Sequence, residues 1–147
     1  AVESSVRSLG FQVATRSADG LPGHATQCFV IDSMGELLRF FAAADLAFVG
    51  GSLVPIGGHN VLEPAALNKP VLVGPHTFNF EEITQALLDE GGGQRVNDGD
   101  ELGEQVLSLL RDRERRETMG SQARHVFDSE RGSVGKVMAL VDALLQE

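Results

Sequence analysis

Apolar positions along the chain switch between two spacings, and the switches mark strands alternating with helices. Phe11, Val13 and Thr15 alternate with polar neighbours, while Gln27 to Ile31, Ala47 to Val49, Val71 to Val73 and Gln94 to Val96 are short runs bounded by glycine, proline or polar residues. Each reads as a strand. Met34, Leu37, Leu38 and Phe41 follow helical spacing behind Asp32 and Ser33, two candidate N-caps, and this puts Met34 on the apolar face. Phe80, Ile83, Leu87 and Leu88 share one face of a helix that reaches Glu90. Val2, Val6 and Leu9 suggest a helix closed by Gly10, and the segment from Ser17 to Ala25, with His24, reads as a surface loop. Further on, Asp98 to Asp100 precede a helix carrying Leu102, Val106, Leu109 and Leu110, and Arg111 to Arg116 read as a solvated charge run. Met119, Ala123, Val126 and Phe127 mark another helix, and Ser133 caps a last one with the stripe Val134, Val137, Met138, Val141, Leu144 and Leu145. Strands joined through helices pair in parallel, so the predicted fold is α/β: a Rossmann-like open parallel sheet flanked by helices, as one domain over residues 1–147.

Residues 49–80 are the centre of this pattern: strand, glycine-rich loop, helix, strand, second polar loop. In an open parallel sheet, ligands sit beyond the carboxyl ends of the strands, where helix N-termini present unpaired N–H groups. The first loop combines Gly50, Gly51, Gly57 and Gly58 with Ser52, His59, Asn60 and Glu63, and the second carries His76, Thr77 and Asn79. This is the composition of a nucleotide or phosphate cradle. A purely structural reading stays open, with glycines serving tight turns and Asn60 and Glu63 forming a reciprocal capping box. No GK[ST] follows the glycines and the spacing is not G-x-G-x-x-G, so neither common phosphate-loop pattern applies.

Composition narrows the classes. Acidic residues outnumber basic ones 21 to 12, a formal charge of −9 that disfavours nonspecific attraction to nucleic acid or anionic lipid. Cys28 is the single cysteine, in an apolar segment, and reads as a buried inert thiol. His24, His59, His76 and His125 are scattered, which argues against a metal enzyme, and Gly51 and Ser52 are followed by Leu53, not by a nucleophile elbow. Arg39 and Asp45 interrupt the longest apolar run, so no membrane helix is predicted.

Three segments together form a specific signature: DSMGELLRFFAAADLAFVGGSL from Asp32 to Leu53, GGHNVLEPAA from Gly57 to Ala66, and GPHTFNFEEI from Gly74 to Ile83. They resemble the C-terminal half of 3-deoxy-D-manno-octulosonic acid (Kdo) transferases, lipopolysaccharide enzymes that take Kdo from CMP-Kdo to a lipid A precursor. The resemblance implies a GT-B glycosyltransferase at the cytoplasmic face of the bacterial inner membrane, with this domain soluble. By motif it implies CMP contacts at Met34, Gly35 and Glu36 and at Asn60, Val61, Leu62 and Glu63, two helix beginnings expected to face one nucleotide. Ser52, Gly58, His59 and His76 become possible neighbours of the donor. It also implies no cofactor, a catalytic glutamate in the missing N-terminal acceptor domain, and a further proline-basic nucleotide contact that lies upstream and is not present here. Because the chain starts at Ala1, it is expected to be an excised domain, inactive alone and prone to self-association through its C-terminal stripe. A UDP-sugar transferase or epimerase domain, and a noncatalytic nucleotide-binding or interaction module, are the alternative readings.

Overall fold

The computed structural model describes residues 2–145, and the side chains of residues 134 and 136–145 fall outside what it describes, including the whole of the C-terminal stripe on which self-association was expected. Two compact units are present, Ala1–Arg39 and Phe40–Glu147.

In the first, α1 (Val2–Ser8) leads to β1 (Val13–Thr15), α2 (Arg16–Asp19) forms one turn, and β2 (Cys28–Val30) pairs with β1 in parallel, Val13 opposite Cys28. Cys28 is half-buried and free, not fully enclosed as its apolar neighbours suggested. The next helix, α3 (Leu37–Ala43), starts later than its periodicity implied. Both expected N-caps serve other partners: the Asp32 carboxylate accepts from Ser17 N and Oγ, and the Ser33 hydroxyl donates to Glu36. Gly35 sits at φ +79°, a left-handed conformation that no right-handed helix can include, so 33–35 is a turn. Met34 is 97% exposed there and belongs to no apolar face.

The second unit contains β3 (Ala47–Phe48), α4 (Leu62–Ala66), β4 (Val71–Val73), α5 (Glu81–Asp89), β5 (Gly93–Arg95), α6 (Gly99–Arg111) and α7 (Arg113–Leu145). Its strands lie side by side in the order β3, β4, β5, all parallel, with Phe48 opposite Leu72 and Val73 opposite Arg95. Central β4 is apolar throughout because both its faces are covered. Val71 and Val73 point into a core with Val61, Ala65, Leu87, Ala123 and Val126, while Leu72 packs on the other face with Leu109 and Met119.

Helix α7 departs from the predicted pair of helices. It runs without a break, and Ser133 is no cap: its hydroxyl donates to Ser129 O inside the helix. Gly120 is a contact point instead of a breaker, since a Cβ there would lie 2.0 Å from Asn68 O. Nor is the 111–116 run simply solvated. Asp112 ends α6 and accepts from Arg115 N, and Arg116 Nη1 donates to Leu109 O and Leu110 O, satisfying carbonyls at the end of α6.

Candidate nucleotide site

Parallel neighbours end on the same edge, so the loops after β3 and β4 emerge together. Ser52 joins them. It is fully buried; its hydroxyl donates to Val49 O at 2.5 Å and accepts from Gly74 N at 2.8 Å, and its carbonyl accepts from His76 N at 2.9 Å. Further out, Asn79 N donates to Gly57 O and Asn79 Nδ2 to Ile56 O, each at 3.1 Å. Gly51, Gly57 and Gly58 all take positive φ, and the Gly58 amide closes the first loop on Gly51 O. The loops are thus one hydrogen-bonded body.

Arg95 holds the second loop from beneath. Register places it opposite Val73, one residue before Gly74, and its Nη1 donates to Gly74 O, Pro75 O and Thr77 Oγ1 at 3.1 to 3.2 Å. Thr77 in turn donates to Glu81 at the start of α5. Sequence reasoning missed Arg95. The available signal was an arginine at the end of a strand read as part of the sheet.

The polar side chains singled out in these loops divide by what they can offer a ligand. His59 and Asn60 are exposed, His76 and Glu63 are half-buried, and Val61 is buried, leaving only its backbone. Ser52 is a brace under the site, not part of its surface. Asn60 Oδ1 accepts from Leu62 N at 3.0 Å, but Glu63 does not reach back, so the reciprocal capping box is absent. Among the described residues the Glu63 carboxylate has no hydrogen bond or ion pair. A half-buried carboxylate with no partner among the described residues is available to a ligand.

Met34, Gly35 and Glu36 belong to the first unit, and their chemistry differs from what the motif suggested. Arg16 grips the Glu36 carboxylate through two bonds, Nη2 to Oε1 at 2.8 Å and Nε to Oε2 at 2.9 Å, and the Ser33 hydroxyl adds a third. The Arg16 hydrogen bond first, then that of Ser33, lowers the Glu36 carboxyl from 4.5 to about 2. Its stabilising contribution is complete above about pH 4.5 and is lost as pH falls through about 2. Asp32 is also lowered, chiefly by its bonds to Ser17. With Glu36 engaged, the turn presents the Met34 side chain and the backbone of 33–35.

Shallow cavities line the second unit, and two of them adjoin the ends of its strands and loops. One, about 470 Å³, is lined by residues 78–83 beside the second loop. The other, about 360 Å³, adjoins the amino ends of the strands at Asn68 and Lys69, where Arg113 pairs with Glu117 and Arg116 with Asp45. Among the described residues no group of three or more His, Cys, Asp or Glu is placed to hold a metal ion, and no helix is long and apolar enough to cross a membrane.

No protein-family model matches the chain. Curated relatives do. The 3-deoxy-D-manno-octulosonic acid transferase of Haemophilus influenzae is 43% identical over 137 residues, 92% of this chain and 32% of that protein. The Bordetella pertussis enzyme of the same name is 38% identical over 122 residues, 82% of this chain and 28% of its own length. This chain therefore spans about a third of the length of the curated relatives it matches. Among solved structures, the C-terminal CMP-Kdo binding domain of WaaA from Acinetobacter baumannii superposes with a TM-score of 0.80 at 38% identity, covering 85% of this chain and 65% of that one. A shared fold at that identity, together with relatives 43% and 38% identical over most of the chain, places the chain in the 3-deoxy-D-manno-octulosonic acid transferase family, as a homologue of its C-terminal domain.

Proposed function

We propose that this chain is the donor-binding domain of a glycosyltransferase that moves Kdo from CMP-Kdo to a lipid A precursor in lipopolysaccharide biosynthesis. The observation that carries the reading is the likeness, at 38% identity and a TM-score of 0.80, to a domain described as binding CMP-Kdo. In the second unit Asn60, Val61, Leu62 and Glu63 are the CMP contacts, with His59 and His76 near the donor sugar; in the first, the family resemblance makes the backbone of Met34 and Gly35 a nucleotide contact. Glu63, without a partner among the described residues, accepts hydrogen bonds from two ribose hydroxyls. Among residues 49–80 the only lysine or arginine is Lys69, so the phosphate in these loops is met by backbone N–H groups.

In the transfer an acceptor hydroxyl bonds to the anomeric carbon of Kdo, and the bond from that carbon to the phosphate oxygen breaks. CMP leaves with the electron pair. The hydroxyl proton passes to the glutamate base that the family resemblance locates in the N-terminal acceptor domain, and no cofactor takes part. The whole enzyme works at the cytoplasmic face of the inner membrane, and this chain alone transfers no sugar. Titration calorimetry tests the nucleotide assignment: CMP binds at least roughly tenfold more tightly than UDP, a difference within reach of polar base discrimination. Equal affinities would reject cytidine and favour a UDP-sugar enzyme.

A further inference from the structure

Glu36 lies in the segment that the proposed function sets against the nucleotide, yet both its carboxylate oxygens are occupied. Arg16 contributes a bidentate pair, and the same guanidinium donates through Nη1 to Gly20 O at 2.6 Å. The guanidinium is thereby anchored at both ends. Ser33 binds Glu36 from the start of the turn, and Arg39 N donates to Glu36 O as α3 begins. Between these anchors stand Met34, 97% exposed, and Gly35 at φ +79°. Such a turn buries no large side chain to fix its shape. Directed bonds at its two ends do so instead, and the strongest is the fork-to-carboxylate pair.

We infer that Arg16 is a positioning residue of the nucleotide site: through Glu36 it fixes the 33–36 turn, so that the backbone of Met34 and Gly35 meets the base. This rests on the reading of 34–36 as nucleotide contacts. The other groups acting on Glu36 are the Ser33 hydroxyl and, at longer range, Arg39. Lysine at position 16 supplies charge without the planar fork and replaces only part of the restraint.

The test compares the wild-type chain with Arg16→Met and Arg16→Lys by carboxyl-carbon and amide NMR without ligand, and by calorimetric titration with CMP. In the wild type the Glu36 carboxyl titrates near 2, and in Arg16→Met it returns toward 4.5 while the Met34 and Gly35 amides shift. CMP affinity falls about tenfold in Arg16→Met and less in Arg16→Lys, in keeping with loss of a charge-assisted pair. Amides of Val71–Val73 in the second unit stay in place as the folding control. If the wild type binds CMP and Arg16→Met binds it equally well, the inference is overturned and the donor-site reading stands. If the wild type binds no CMP, both fall. Should Arg16→Met unfold the first unit, Arg16→Lys decides alone: affinity equal to wild type overturns the inference.

Discussion

Gly74→Ala lowers the melting temperature by roughly 10 °C and abolishes CMP binding, because the new methyl group has no space between the two loops. An alanine Cβ at 74 would stand 2.3 Å from Ser52 O, 2.4 Å from Ser52 C and 2.6 Å from Leu53 N. All three are backbone atoms, so no rotamer change relieves the clash. Relief requires the loops to separate, which breaks the Gly74 N to Ser52 Oγ and His76 N to Ser52 O bonds and opens a fully buried residue to water. Overpacking and lost buried hydrogen bonds together cost about 3 kcal/mol. Gly50→Ala is the control: nothing lies within 4 Å of its would-be Cβ, and stability stays within about 0.5 kcal/mol. A Gly74→Ala protein that melts within about 2 °C of wild type would show that the loops are not held as described.

Glu63→Ala has the opposite profile, a large loss of ligand with almost none of stability. The carboxylate has no partner among the described residues, so its removal orphans nothing, and alanine is at least as good a helix former as glutamate. Two charge-assisted bonds to ribose hydroxyls are lost, and CMP affinity drops at least a hundredfold, about 3 kcal/mol. Calorimetry and thermal melts on the same sample check both halves. Retained CMP affinity would remove Glu63 from the site, whereas a large fall in melting temperature would mean that its role is structural.

Local pattern revealed the alternation of elements because the second unit depends on it: an unbroken apolar β4 is what a strand covered on both faces requires. Helix ends were harder to read. Asp32 and Ser33 are good N-cap types, and only the tertiary approach of Ser17 and the side chain of Glu36 shows why neither caps α3. Gly120 and Ser133 resemble breaks in α7, but the first is small so that the helix can touch Asn68 and the second bonds back along its own helix. At the candidate site the glycines and the polar residues around them were legible as types. The braces were not: Ser52 with Gly74 lies 22 residues apart and Arg16 with Glu36 lies 20 apart, and such pairs exist only once the chain has folded. Arg95, 21 residues from the Gly74 carbonyl it binds, was missed for the same reason.

The central claim is that the loops of the second unit bind the donor nucleotide at Asn60 to Glu63, and an amide NMR titration of the isotope-labelled chain with CMP tests it directly. The account predicts that the Asn60, Leu62 and Glu63 amides shift together along curves that fit one dissociation constant, with UDP producing a much weaker response. No shift at these residues, or equal shifts with UDP, would contradict it.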